Sequence, residues 1–562
     1  MHESSLNKKK KIFLVLIIIM ACLLRLYGIG WGLPNKEHFF SFIPDEFTWI
    51  RWVSNLHPEK LDFDPSAPMG VFLIYTYAVF LKISSFLKFV TLTADYSFYY
   101  RNPHLFTRIY IVGRLLCCLC GILTVYATFL LGKKLYSIQI GLLAAFLLSI
   151  STLHVIHSHF LHANIPATFC MTLAIIFALD IFRKGGLSSY ILTGIIIGLA
   201  ISVKQYAVLL IPMIHMADYL RQYNTFHLKR IPHSIFNKQI LIAYLSIFAA
   251  FLLTNPYFFA NFKEIYWKEN ISTLNIYLVT KNLSSFSVSE QVSNSILASL
   301  KNLAHSFKNV IIAWNGFPFF LTFCAGLALS FIKHTKEDIL LLMFFIPYLL
   351  IVLYSNVMAG NYYIPLLPVG ALFVAKFFYL LKYHHLKIVR IIGIIFAIAV
   401  SVHIFIYTLA FEKYFREKDV REIASDWILN NIPKNSEIAV IHEPYWDSPS
   451  VVYNQYFYNG KSKVFRLKDK LYSINKIDNE LRFFGEIKRG NFIIFSNWYW
   501  RYLLHKEPDY HLTMSTLNNY NFKLVYYINK EPEVFGFKFK RPDALALDLS
   551  QISPRIYIFR KF

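Results

Sequence analysis

Two adjacent carboxylates, Asp45 and Glu46, follow a proline in the run Ser41-Phe42-Ile43-Pro44-Asp45-Glu46, just past the first long apolar stretch. Segment 33–67 holds six acids (Glu37, Asp45, Glu46, Glu59, Asp62, Asp64) against three bases (Lys36, Arg51, Lys60), in a chain that is otherwise basic. A carboxylate in such a place can take a proton from an incoming hydroxyl or amine, or hold a divalent cation beside a phosphate. It can equally cap an interfacial helix that begins near Glu46. Both readings stand, and one residue can serve both. Two cations lie where they could meet a phosphate: Arg114, and Lys204 in a break between two apolar segments. Four histidines (His154, His157, His159, His162) have ligand-like spacing, but no Cys or acid nearby completes a zinc set. Hydrogen bonding to an acceptor or phosphate suits His157 and His162 better, with Asn164 beside them. Tyr257 can stack on a sugar or sit in an interfacial aromatic belt.

The elements that must position these groups are set by hydropathy. Of 562 residues, 56% are apolar and only 16% charged, and the mean hydropathy is +0.44. Soluble domains carry roughly 25% charge. With 53 Phe and 37 Tyr and only 21 Gly and 21 Pro, the chain is neither disordered nor fibrous. The net charge of +24 would suggest nucleic acid in a soluble protein. Here basic cytoplasmic loops and an anionic lipid surface explain it, so no nucleic acid partner is expected. All six cysteines lie in apolar blocks and read as small hydrophobes, not as a disulfide framework. The chain is polytopic.

A helical span needs about 20 mainly apolar residues. Candidates are 12–32, 108–132, 138–155, 165–183, 189–203, 205–218, 239–256, 313–333, 338–356, 361–382 and 388–411. The short basic connections can all be cytoplasmic only if the apolar stretch 69–90 lies in the interface. That gives about eleven spans (range 10–13), an N-terminus inside and the tail outside. Residues 1–411 then form a transmembrane domain with outer loops 33–67 and 256–312. The tail 412–562, with 24 Lys+Arg and 18 Asp+Glu, forms an extracytoplasmic α/β or α+β domain.

Against this frame a resemblance becomes visible. Pro44-Asp45-Glu46 after the first span resembles the signature of the GT-C superfamily, in particular its lipid-carrier-dependent glycosyltransferases of the family 39 kind. These are the protein O-mannosyltransferases and the aminoarabinose transferases that modify lipid A. Similar motifs continue in order: Val112-Gly113-Arg114, Gly132-Lys133-Lys134-Leu135, His157-Ser158 to Pro166, Gly198 to Lys204 and Asn255-Pro256-Tyr257. Tyr363 to Pro368 and Asp426-Trp427 to Pro433 extend the likeness over about 400 residues. The resemblance implies that Asp45 is the catalytic carboxylate and Glu46 its neighbour, orienting it or helping hold a metal. Arg114 and Lys204 would face the phosphate of a polyprenyl-linked sugar, with His157, His162, Asn164 and Tyr257 lining the substrate. Two departures stand out. Many relatives carry a second aspartate where this chain has Asn164, which weakens the case for a bridged metal. The Lys-Pro pair of the aminoarabinose transferases is replaced by Ser66-Ala67-Pro68.

The expected protein is a plasma-membrane hexosyl- or pentosyltransferase. It takes a sugar from a polyprenyl-phosphate carrier to a glycan, lipid or protein acceptor at the outer face. No cofactor is called for beyond a divalent cation that Asp45 could hold. The alternative is a polyprenyl-lipid or sugar flippase, which would place charges in mid-span and show similar halves. Few charges and no repeat of that kind are present. The topology makes a direct prediction: in sealed right-side-out vesicles a protease should remove a tag placed after Phe562 and spare one at Met1. Protection of both tags would overturn it.

Overall fold

The computed structural model describes residues 7–36, 38–60, 62–223, 237–260, 315–354, 359–441, 449, 454–458, 461–465, 473–477, 491–497, 517–539 and 551–562. Most of the expected outer loop 256–312 lies outside the described residues. The first ten helices are α1 (Lys8–Leu26), α2 (Pro44–Ser54), α3 (Val71–Phe86), α4 (Tyr96–Arg101), α5 (Pro103–Leu135), α6 (Ile138–Ser149), α7 (Thr152–His157), α8 (Asn164–Lys184), α9 (Leu187–Val203) and α10 (Ile211–Gln222). Further helices run over Lys238–Thr254, Phe317–Lys333, Lys336–Tyr354, Leu367–Lys382, Lys387–Tyr414 and Val420–Asn431. Among the described residues, four stretches are long and apolar enough to cross a membrane: Pro103–Leu135, Asn164–Lys184, Gly360–Lys382 and Lys387–Tyr414. Other apolar helices, such as α9 and Lys238–Thr254, have 17 residues. The protein is a helical membrane protein.

Segment 69–90 forms α3, 16 residues long. At 1.5 Å per residue that is about 24 Å, short of a hydrocarbon core of about 30 Å. One face, with Leu73, Ile74 and Tyr77, packs inward, and Tyr77 donates to the carbonyl of Ile109 on α5 (2.8 Å). The single span expected at 138–155 is instead broken into α6 and α7. Arg25 explains the break. Its guanidinium donates to the Ser149 carbonyl at the break (3.2 Å) and to the Leu148 carbonyl (3.4 Å), which also accepts from the Ser151 N–H (3.3 Å), so carbonyls freed in an apolar setting find donors. The segment 205–218 is broken too, as a 3-10 turn (Gln205–Leu210) followed by α10. The cysteines are all free, with Cys117 and Cys118 buried, but Cys324 is exposed on its apolar helix, so it is not the buried residue expected.

The tail folds as a helix over a mixed sheet. Asp419 caps the helix Val420–Asn431 in a capping box with Glu422. The strands are β1 (Glu437–Ile441), β2 (Asn454–Tyr458), β3 (Lys461–Phe465), β4 (Ser473–Ile477), β5 (Phe492–Ser496), β6 (Phe522–Ile528), β7 (Glu533–Val534), β8 (Phe537–Lys538) and β9 (Ile556–Lys561). Five make one sheet in the order β4-β1-β5-β9-β6, with β1 parallel to β4 and β5, and β9 antiparallel to β5 and β6. The helix buries Ala424 and Ile428 against Ile438, Ile494, Ile556 and Ile558. This unit docks on the membrane half. Arg421 lies 3.8 Å over the Phe42 ring, and Asn35 Nδ2 donates to Glu422 Oε1 (3.4 Å).

Two glycines set the approach of α9 to the helix Lys238–Thr254. A Cβ on Gly194 would lie 2.4 Å from the carbonyl oxygen of Ala243, and one on Gly198 2.4 Å from that of Ile247. These contacts are with backbone, so nothing can swing aside. Gly198→Val is expected to cost about 1–3 kcal/mol of stability by overpacking. Gly186→Ala, whose added carbon meets only Ser188 at 3.9 Å, should cost little. Thermal unfolding in detergent measures both, and an unchanged midpoint for Gly198→Val would contradict the close packing.

Candidate functional site

Helix α2 begins on Pro44, whose missing N–H is no loss at that position, and places Asp45 and Glu46 in the first turn where the helix dipole favours carboxylates. Successive helical residues point about 100° apart, so the two acids face different surroundings. Glu46 turns inward. Its Oε1 accepts from Arg114 Nε (2.8 Å) and the Leu161 N–H (2.9 Å), and its Oε2 accepts from Arg114 Nη2 (2.6 Å) and Ser41 Oγ. Arg114 Nη1 donates to the carbonyls of Ile29 and Trp31, both at 2.7 Å, and Nη2 also reaches Ser41 Oγ (3.4 Å). Both side chains are 0% exposed.

This corrects two expectations. All five N–H directions of Arg114 are in use, so it does not face a donor phosphate but sits behind the site. Glu46 has its acceptor positions filled, which leaves it neither a proton acceptor nor a metal ligand.

Asp45 points the other way, its side chain 61% exposed, with Oδ2 3.4 Å from Nε2 of His162. His162 Nδ1 accepts from the Asn164 N–H (3.3 Å), which leaves the ring proton on Nε2, facing the carboxylate. Loss of water in the cleft would raise the Asp45 pKa, but the hydrogen bond and charge of His162 and the charge of Lys204 outweigh it and hold the carboxyl below the usual range. Burial, aided by Lys204, pulls His162 down, and Asp45 opposes this.

Lys204 lies between α9 and the 3-10 turn, only 8% exposed. Its ammonium donates to the Met69 sulfur (3.6 Å) and stands near the Tyr206 (6.0 Å) and Tyr362 (5.9 Å) rings. Burial pulls its pKa down to about 8, against the pull of Asp45. Asn164 is 1% exposed at the start of α8; its Oδ1 accepts from the Tyr206 hydroxyl (3.0 Å), while its Nδ2 has no partner among the described residues. Met69, Tyr206 and Tyr362 were not singled out from the sequence. Tyr206 could have been, as an aromatic two residues beyond a buried lysine.

Other candidates sit elsewhere. His157 is buried, edge-on to Phe160 (6.2 Å). Tyr257 accepts at its hydroxyl from the Phe63 N–H (3.1 Å) and so fastens the first loop. His154 meets Arg25 (2.8 Å), and His159 meets the Tyr27 carbonyl (2.7 Å) with Glu412 at 3.6 Å. Four histidines thus go to different partners.

The buried pair makes a prediction about folding. Glu46→Gln strips a buried arginine of its counter-charge, which typically costs about 3–5 kcal/mol. Asp45→Asn, at an exposed carboxylate, should leave stability nearly unchanged. Unfolding midpoints of the two purified variants test this, and equal midpoints would refute the division of roles.

Residues 104–253 match the family described as dolichyl-phosphate-mannose-protein mannosyltransferase. No curated protein matches the chain in sequence. Among solved structures, the oligosaccharyltransferase AglB from Archaeoglobus fulgidus, in complex with an inhibitory peptide and a dolichol-phosphate, is similar at 12% identity and a TM-score of 0.50. The match covers 95% of this chain and 74% of that one. ArnT from Cupriavidus metallidurans, bound to undecaprenyl phosphate, is similar at 10% identity and a TM-score of 0.45, over 97% of both chains. The archaeal enzyme tethered to an acceptor peptide matches at 14% identity and a TM-score of 0.47 over 78% of this chain, which spans only 62% of that enzyme's length. Residues 104–253 thus match a mannosyltransferase family model, and the chain shares the fold of the archaeal oligosaccharyltransferase.

Proposed function

We propose that the chain is a membrane glycosyltransferase that moves a hexose or pentose from a polyprenyl-phosphate carrier to an acceptor at the outer face of the cell membrane. Residues 1–411 would hold the site and 412–562 would form the extracytoplasmic domain, with the N-terminus in the cytoplasm. The observation that carries the reading is the exposed Asp45 carboxylate beside His162 (3.4 Å), with a buried Lys204 near enough to feel its charge and, among the described residues, no carboxylate within ion-pair distance of that lysine. The dolichol-phosphate bound to the archaeal enzyme of shared fold supports a lipid phosphate as the donor's leaving group.

Asp45 takes the proton from the acceptor hydroxyl or amine as that group attacks the anomeric carbon. The bond from sugar to phosphate breaks, and polyprenyl phosphate departs with the electron pair. Attack opposite the phosphate inverts the anomeric centre. Lys204 meets the phosphate, and the unpaired Asn164 amide donates to phosphate or sugar. A charge-assisted contact of this kind is roughly twice as strong as a neutral one. A cation bridged by two carboxylates does not fit these residues. Glu46 is consumed, and no cluster of three His, Cys, Asp or Glu occurs among the described residues. No step is assigned to a metal.

The test is transfer of labelled sugar from lipid carrier to acceptor by purified variants. Asp45→Asn should lose about 10²- to 10⁴-fold in turnover while folding normally. Lys204→Ala should raise the KM for the lipid donor more than Asn164→Ala does. Near-normal turnover by folded Asp45→Asn would overturn the mechanism.

A further inference from the structure

The turn joining β7 to β8 consists of Phe535 and Gly536, at φ of 50° and 82°. Such two-residue turns normally take Asn, Asp or Gly at the first position. A bulky aromatic there is an outlier, and outliers of this kind persist where the side chain has a use. Phe535 is 79% exposed and Phe537, which pairs with Val534, is 60% exposed. Two large aromatic rings therefore stand free at the tip of a short hairpin. Lys538 flanks them, 72% exposed and 3.6 Å from Glu533.

The hairpin's height along the molecule is fixed by the next residue. The Phe539 N–H donates to the Pro532 carbonyl (2.9 Å), and its ring lies 5.0 Å from Tyr407 and 6.2 Å from His403. Both belong to the spanning helix Lys387–Tyr414, seven and eleven residues before its end, or about 10 and 16 Å along the axis. A second helix marks the same height. Gly316, which starts the apolar helix Phe317–Lys333, is so close to His403 that an added Cβ would lie 2.4 Å from its ring. Phe317 is 54% exposed. Exposed Phe317, Ile398 and Val402 make an apolar surface at the height of His403, in the outer half of the span expected at 388–411. Exposed aromatics with an adjacent lysine at that depth have the composition of an interfacial anchor.

We propose that the β7–β8 hairpin inserts Phe535 and Phe537 into the outer part of the bilayer at this height, so that the C-terminal unit is held by lipid as well as by the helix it grows from. The occupant of this surface is the lipid interface itself. The inference does not depend on the sugar-transfer reading, since it rests only on the chain crossing a membrane.

The test uses the full chain in nanodiscs of phosphatidylcholine and phosphatidylglycerol. The photoreactive residue p-benzoylphenylalanine replaces Phe535 or, separately, Phe537, and preserves the aromatic ring. Ile395, 61% exposed in the same spanning helix, is the lipid reference. Illumination should give phospholipid adducts at one or both hairpin positions at a yield within a few fold of that at Ile395. Two results would overturn the proposal: no lipid adduct at either position while Ile395 reacts, or adducts only between two copies of the chain.

Discussion

The buried Glu46–Arg114 pair is the constraint on which the site depends. Taking a carboxylate and a guanidinium out of water costs several kcal/mol per ion, and only complete hydrogen bonding recovers it. Complete bonding here requires α2 to bring Glu46, α5 to bring Arg114, the strand-like run near residue 41 to bring a hydroxyl, the turn before α8 to bring an N–H, and the end of α1 to bring two carbonyls. Three stretches of chain far apart in sequence, residues 29–46, Arg114 and Leu161, are thus locked by two side chains. Because Glu46 cannot move, the next residue back along the helix cannot either. Asp45 is held outward, toward His162, by an ion pair that takes no part in the chemistry proposed.

That arrangement also shows what the sequence could and could not convey. Hydropathy and the positive-inside pattern were enough for a polytopic helical protein, since both follow from the bilayer alone. The tail's α/β or α+β character was legible because strands such as Glu437–Ile441, Phe522–Ile528 and Ile556–Lys561 carry a local pattern of apolar residues. The roles of Asp45 and Glu46 were not separable, for adjacent acids look alike until the helix phase is known. Arg114 was misread for the same reason. An arginine at the start of an apolar run has the same letter whether it meets a ligand or a buried glutamate 68 positions away. The break inside 138–155 was hidden because its cause, Arg25, is more than 100 residues upstream.

Histidine spacing was a weaker guide than it looked. Residues 154, 157, 159 and 162 suggest a cluster only if they share a helix face, and α7 ends at His157. Beyond that point the chain turns, so His159 returns to the Tyr27 carbonyl while His162 reaches Asp45. Of the four imidazoles, His162 is the one that meets Asp45, with His157 near enough to act on it electrostatically. What selects it is the turn geometry fixed by Leu161, whose N–H is spent on Glu46.

The comparison of two buried lysines carries the case for an anionic ligand further. Lys376 is 6% exposed and Lys204 is 8% exposed, so both have shed most of their water. Lys376 recovers that loss in full, with both Asp338 oxygens at 2.5 Å and the Tyr136 ring 4.9 Å away. Lys204 has a thioether and two aromatic faces, and among the described residues no carboxylate lies within ion-pair distance of it. Asp45 acts on it only at longer range. A fold that supplies a perfect counter-ion at one end of the bundle and withholds it at the other is stabilising two different states. The first is complete on folding, whereas the second, in the function proposed, is completed when an anion enters beside Asp45. An entering phosphate would replace the water that Lys204 lost, and the neighbouring Asn164 amide offers it a second donor already stripped of solvent. Binding energy that folding leaves unused is thereby concentrated at the one point where, in the proposed reaction, negative charge must accumulate.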